Sequence, residues 1–487
     1  MRKTGIGLLV AALLCGLCGC FSMDTDWRPL YSDETSEFWS DISPAQTEDS
    51  SAARTEIEES AQDVLTPRTE TETSPAASSV SSSASSSAAG SRQTGTADAS
   101  SSASRATTAH TTAHTTARQT TTRTTASTPA SGEMRGVWVS YIELDALLKA
   151  NPTRAGLQAA VAQLMTDMKA NGITDVYWIA RANSDAYYTS ACYRTAARAQ
   201  APLKAGADPL AVAVEAAHAR GLKLHAWVNP YRVGKDRSYA ACDDVFSYGG
   251  KYYYIPTSEK AQALILKGVR EIVDGYAVDG IHFDDYFYPA GCADETKKAD
   301  FERFTPGAGQ SCGDYRRAAV SALVRSVYTV CHSRTGCVFG ISPSHSLEKN
   351  RDQYYADCGR WLAEKGYVDY LCPQVYFGLE HASAAFDRVV DTWLSCSRSS
   401  GVKLYFGLGL YKAGLKDDRY AGSGRAEWCQ RGDILKREVL FLRSRAKVNG
   451  MAFYSYSYFD PSAVAGRSEY DRTYAEKEVK NLLSVLR

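Results

Sequence analysis

Beyond residue 20 the sequence has no CxxC pair and no zinc-ligand spacing, and nowhere does it show a glycine-rich phosphate loop or an excess of either charge. Each absence excludes something. Lys plus Arg and Asp plus Glu both number 55, so bulk charge points to no nucleic-acid partner. A nucleotide-binding doubly wound sheet would show a Gly-rich turn after its first strand, and none is present. No Ser, His and Asp stand in the order of an acyl-transfer triad, and no cofactor motif appears. Beyond Cys15, Cys18 and Cys20, ten of the thirteen cysteines are spread over the second part of the chain. Their spacing fits no metal site, so no metal and no cofactor is expected. Cys331 and Cys337 flank a tight helix-to-strand connection and are the first pair to suspect of a disulfide.

Long apolar runs are also missing. Residues 6–14 are apolar but too short to span a bilayer as a mature helix, and Arg2 and Lys3 precede them. Leu17-Cys18-Gly19-Cys20 resembles the bacterial lipobox, which implies cleavage after Gly19 and diacylglyceryl attachment at Cys20. Residues 1–20 thus read as a lipoprotein signal peptide, and the expected location is the bacterial cell membrane, lipid-anchored and extracytoplasmic. Residues 21–131 are acidic and polar, then almost wholly Ser, Thr and Ala. Such a composition cannot bury enough apolar area to offset chain entropy, so a disordered linker is expected. His110 and His114 read as part of that solvated linker.

From residue 132 to 487 strand and helix patterns alternate. Strands are expected at 134–141, 175–180, 223–230, 278–284, 338–343, 369–376, 403–411 and 450–458. Helices are expected between them, among them 153–169, 209–220 with Asp208 as N-cap, 258–276 and 354–365. Eight strands each followed by a helix are the count of an α/β fold of the (β/α)8 TIM-barrel type.

In such a barrel the strand ends form the site. Residues 278–289 read Val-Asp-Gly-Ile-His-Phe-Asp-Asp-Tyr-Phe-Tyr-Pro. Strand alternation turns Ile281 and Phe283 toward the helices, and His282 and Asp284 inward. Asp285 falls where strand gives way to loop. Other strand ends offer Arg181, Asp185, Asn229, Tyr231, Arg232, Tyr286, Glu348, Gln374, Tyr376 and Tyr411. Carboxylates, amides, Arg and Tyr in one place suit glycoside chemistry, where two carboxyls flank the scissile bond. Asp284 and Asp285 are the catalytic candidates, with Asp185 and Glu348 as alternatives for the second carboxyl. Arg181, Asn229, Tyr231, Arg232, Tyr286, Gln374, Tyr376 and Tyr411 are the candidate sugar-binding residues. His282 reads as a core histidine orienting Asp284, and Trp138, Trp178, Trp227 and Tyr405 as barrel packing. The bottom-face residues Asp175, Lys223, Asp279, Asp369 and Lys403 read as serving stability.

Residues 227–232 (Trp-Val-Asn-Pro-Tyr-Arg), 278–289, 339–343 (Phe-Gly-Ile-Ser-Pro), 373–376 (Pro-Gln-Val-Tyr) and 409–412 (Gly-Leu-Tyr-Lys) resemble the glycosyl hydrolase-like family ten. The likeness runs from about residue 134 to 462. It implies a bacterial envelope protein of (β/α)8 fold that hydrolyses glycosidic bonds, with peptidoglycan glycan as substrate class. One stretch departs from the family pattern: after Ser342-Pro343 the chain reads Ser-His-Ser-Leu-Glu-Lys-Asn, lacking the Gly and Trp often found there. A sugar-binding barrel without turnover is the alternative.

Overall fold

The computed structural model describes residues 129, 131–285, 287–292, 300 and 310–487. The expected signal peptide, Cys20, nearly all of the linker, and Tyr286 lie outside the described residues. No described helix is long and apolar enough to cross a membrane.

Eight parallel strands close into a barrel: β1 Met134–Val139, β2 Asp175–Arg181, β3 Lys223–Val228, β4 Gly280–Phe283, β5 Val338–Ile341, β6 Tyr370–Leu371 continuing as Gln374–Val375, β7 Lys403–Leu408 and β8 Gly450–Phe453. β8 pairs back onto β1, Met134 facing Gly450, so no edge is left open. Followed round the barrel, the pairing climbs two residues on each odd strand. Met134 gives way to Gly136, Lys223 to His225, Val338 to Gly340 and Lys403 to Tyr405. Four steps of two make a shear of eight, the value that sets the strand tilt of a TIM barrel.

The bottom of the barrel repeats one device four times. Thr174, Asp279, Asp369 and Asn449 each stand just before an even strand. Their side chains accept the N–H of Arg135, Leu224, Phe339 and Leu404, the second residue of the preceding odd strand, at 2.8, 2.8, 2.7 and 3.0 Å. The backbone N–H of each bonds the carbonyl of that same residue, and its own carbonyl takes the first N–H of the next odd strand. Two of the four also tie down the helix layer. His218, ending the helix Pro209–His218, meets Asp279 at 2.8 Å, and His332, capping Cys312–Cys331, meets Asp369 at 3.0 Å. Asp279 and Asp369 thus serve the scaffold.

Around the barrel run α1 Arg154–Ala170, α2 Pro209–His218, α3 Glu259–Gly275, α4 Cys312–Cys331, α5 Cys358–Ala363, α6 Phe386–Ser395, α7 Ile434–Arg443 and α8 Arg472–Leu486. Asp208 caps α2 by accepting from Leu210 and Ala211 N–H, as its sequence predicts. α3 starts at Ser258, which bonds the Ala261 N–H, and buries Ile265, Val269, Ile272 and Val273 on one face. Each such side chain contributes about 1.5–3 kcal/mol. A Cβ at Gly268 of α3 would stand 2.5 Å from the Tyr193 ring, so glycine is what lets this helix seat closely.

Some boundaries differ from expectation for stated reasons. β6 is broken at Cys372-Pro373, where proline has no N–H to give the ladder. β7 and β8 stop at Leu408 and Phe453, and Tyr411, Tyr456 and Tyr458 lie in 3₁₀ turns instead. The helix expected over 354–365 shortens to α5, because Tyr355 adopts φ +52° and Asp357 caps the helix three residues later than the expected start. All ten described cysteines are free thiols, including Cys331 and Cys337.

Candidate active site

The barrel lumen is filled by rings and polar groups where aliphatic side chains are usual. Trp138, Tyr177, His225, His282 and Tyr370 are all buried. They fit because facing positions are glycine: a Cβ on Gly340 would lie 2.0 Å from the Tyr370 ring, and one on Gly136 2.9 Å from Tyr177. A line of hydrogen bonds threads these groups. Trp138 Nε1 donates to His282 Nε2 at 3.1 Å, His282 Nδ1 meets the Tyr370 hydroxyl at 3.0 Å, and that hydroxyl meets His225 Nδ1 at 3.5 Å. His225 Nε2 then meets Asp175 at 3.1 Å. An indole can only donate, so His282 Nε2 must accept and Nδ1 carries the proton. Burial holds His282 well below the usual imidazole range, so it is neutral.

Above this spine, at the C-terminal mouth, lies Asp284. Alternation from His282 turns it inward, as its sequence predicts. Its Oδ2 accepts from Trp227 Nε1 at 3.1 Å in a buried setting. The bonds recorded for His282 go to Trp138, Tyr370 and Ser342, so Trp227 takes the orienting role expected of His282. Trp227 is the residue the sequence reading missed. The signal was available, since His225, Trp227 and Asn229 share the lumen face of β3 and its extension.

Asp285 is half-buried beside it. Burial pushes its carboxyl up to about 6, against a hydrogen bond from Gln374 and the nearby Arg232 guanidinium, which both favour the anion. Gln374 also donates to the Ser342 carbonyl at 3.1 Å, fixing its amide between β5 and β6. Arg232 is buried on the short strand Arg232–Gly234, which pairs with Lys251–Tyr254. Asn229 is buried, and its Oδ1 has no hydrogen-bond partner among the described residues, leaving an acceptor open at the mouth. Tyr376 and Tyr411 pack edge to face at 5.8 Å, both against Tyr454, and form an aromatic wall.

Other candidates are placed differently. Arg181 is buried under the mouth, donating to the Pro230 carbonyl at 3.1 Å and lying over the Tyr193 ring at 4.5 Å. It braces the loops after β2 and β3. Tyr231 is wholly buried against Phe287, with no partner for its hydroxyl among the described residues. Asp185 sits half-buried on the two-residue strand Asp185–Ala186 with Oδ1 unpartnered among the described residues; burial raises its carboxyl. Glu348 is exposed on the short helix Leu347–Asp352. Tyr288, three residues after Asp285, is tied down through Asp300. Its carboxylate accepts from Thr257 at 2.6 Å, Tyr288 at 3.2 Å and Arg316 at 2.7 Å, and Arg316 reaches the Tyr355 hydroxyl at 2.8 Å.

The family model described as glycosyl hydrolase-like 10 matches residues 133–421. Glycosyl hydrolase YngK of Bacillus subtilis is 31% identical over 315 residues, covering 58% of this chain and 61% of YngK. Glycosyl hydrolase DigH of Escherichia coli K12 is 28% identical over 329 residues, covering 58% of this chain and 74% of DigH. The chain therefore spans about three fifths of YngK and about three quarters of DigH. Among solved structures, the glycoside hydrolase domain of PgaB from Bordetella bronchiseptica is 16% identical with a TM-score of 0.48, covering 72% of this chain and 99% of that one. With a family match over well more than half of its length, on a closed eight-stranded barrel, the chain belongs to the glycosyl hydrolase-like 10 family.

Proposed function

We propose that this protein is a glycoside hydrolase that cleaves bacterial cell-wall glycan, with Asp284 and Asp285 as its carboxyl pair. One observation carries the reading: two neighbouring carboxyls at the barrel mouth sit in contrasting surroundings. Asp284 accepts an indole N–H, which suits a carboxylate. Asp285, pushed up to about 6, suits a proton donor. Two carboxyls separated in this way are the usual division into acid and anion. In the proposed reaction Asp285 protonates the leaving oxygen as the anomeric C–O bond breaks, Asp284 stabilises the cationic carbon or bonds to it, and water then completes the sugar, its proton returning to Asp285. Asn229, Gln374, Arg232 and the Tyr376–Tyr411 wall hold the sugar. The Leu17-Cys18-Gly19-Cys20 motif supports attachment to the membrane by lipid on Cys20, with residues 21–131 giving reach. For about a hundred flexible residues that reach is on the order of 50 Å.

The experiment is incubation of the barrel with purified peptidoglycan, with and without stem peptides, beside plant and host glycans, scoring new reducing ends. Asp284→Asn should abolish release from whichever glycan the wild type cleaves. The sugar-binding alternative draws on the departure at 344–350, where His345 and Asn350 are engaged in loop structure through bonds to Trp393 and the Ser344 carbonyl. Binding of a glycan by wild type and Asp284→Asn alike, with no cleavage by either, would select it.

A further inference from the structure

The second indole at the barrel mouth has a defined task. Trp227 pairs in register with His282, two residues below Asp284, and its Nε1 meets Asp284 Oδ2 at 3.1 Å. Both residues are buried, so the bond is little diluted by water. An indole N–H donates and never accepts. Oδ2 therefore presents a lone pair to Trp227 in any protonation state, which fixes the plane of the carboxyl. A donor to a carboxyl also favours its charged form. We propose that Trp227 is the positioning residue of this site, orienting the Asp284 carboxyl and favouring its ionised form so that the negative charge faces the sugar from Asp284. This rests on the reading of Asp284 as a catalytic carboxylate. Packing alone would ask only for a large ring, which Phe supplies; the N–H is what distinguishes Trp here.

Other charged or titratable groups stand on the elements around the mouth. They are Asp285 beside Asp284, His282 below it, Arg232 after β3, Asp185 and Arg181 after β2, His345 after β5 and Tyr376 after β6. A shift caused by losing Trp227 must therefore be separated from theirs, which a variant that changes no charge does. The test is Trp227→Phe in the full chain, with two readouts. Asp side-chain carboxyls labelled with ¹³C are titrated by NMR, the Asp284 signal being identified by its loss in Asp284→Asn. Kinetics over pH are measured on a glycan that the wild type cleaves. Asp284 should titrate at higher pH in Trp227→Phe than in wild type. kcat should fall about 10- to 100-fold, the size of one lost hydrogen bond to a charged group. KM should stay within about threefold, since the effect lies at the transition state. An unmoved Asp284 titration in a folded Trp227→Phe protein overturns the proposal. If Trp227→Phe does not fold, 3-benzothienylalanine at position 227, which keeps the indole shape with sulfur in place of the N–H, tests the same bond by the same titration; an unmoved midpoint overturns the proposal there too. Should the wild type cleave no glycan while the titration moves as expected, the positioning role stands and the hydrolase reading falls.

Discussion

Trp138 donates its indole N–H to His282 Nε2 across 3.1 Å, and that bond fixes the protonation of the lumen. Protonating His282 at Nε2 would set two donors against each other in a site without water access. Burial and the neighbouring His225 hold its folded pKa well below 6.5, whereas the unfolded chain titrates near 6.5. The contribution is therefore fully present above about 6.5 and is lost as pH falls below it toward the folded value. Nitrogen-15 spectra should show His282 as the neutral Nδ1–H tautomer at pH 5.5. His282→Leu should cost about 2–4 kcal/mol at pH 7, since Trp138, Tyr370 and Ser342 each lose a partner. Denaturant unfolding at pH 5.5 and 7.5 measures both the cost and the flattened pH slope.

The four bottom-face clamps predict a stability effect without an activity effect. Asp279→Ala removes the acceptor for the Leu224 N–H and the partner of His218. An unpartnered backbone N–H within the sheet costs about 1–3 kcal/mol. Urea unfolding should show that loss, while glycan binding at the opposite end of the barrel stays as in wild type. Asp279→Asn keeps an acceptor and should recover most of it.

A second buried site predicts stabilisation. Glu438 on α7 and Glu478 on α8 are both buried, and both Glu438 oxygens and Glu478 Oε2 lack hydrogen-bond partners among the described residues. Burial pushes Glu478 up to about 7, and burial together with the Glu478 charge raises Glu438 well above its usual range. An acid whose folded pKa is raised costs stability as pH climbs past its unfolded value near 4.5, and the cost is complete above the folded value. Glu478→Gln should therefore raise the melting temperature at pH 8, by about 1–3 kcal/mol in stability, and leave it unchanged at pH 4. Thermal unfolding at the two pH values checks the sign.

Regular spacing made the barrel readable, since eight strand patterns and their helices need only local periodicity. What the periodicity did not carry was chemistry acting across strands. Pro373 breaks β6 because a ladder bond is missing, an effect visible only once strands are paired. Tyr355 takes a left-handed backbone where its hydroxyl meets Arg316, which is itself held by Asp300, far apart in sequence. The helix Tyr141–Ala150 went unread although Ser140 and Glu143 form a capping box, because it follows β1 without a turn signal. At the site, alternation placed Asp284 inward correctly. Arg181 and Tyr231 looked like strand-end ligands, but a bulge between Ile179 and Arg181 turns the former toward the helix layer, and Phe287 covers the latter. Trp227 was legible as a lumen residue and not as a donor, because its partner lies on another strand.

The pH profile of cleavage gives the sharpest test of the carboxyl assignment. If Asp285 donates the proton, activity must fall as pH rises through its pKa, about 6, because the folded group is then deprotonated. The descending limb should move to higher pH in Gln374→Leu, which removes a hydrogen bond that favours the Asp285 anion. Asp285→Asn should lose the limb altogether and turn over natural glycan at least about 10²-fold more slowly. On an aryl glycoside with a good leaving group, which needs little protonation, the same variant should recover most of its rate. Asp284→Asn should fail on both substrates by about 10³-fold or more, since charge stabilisation at the anomeric carbon is required whatever departs. Parallel kcat measurements on the two substrates decide the matter. If Asp285→Asn and Asp284→Asn are equally deficient on the activated substrate, Asp285 is not the acid, and the half-buried Asp185 becomes the donor to test next.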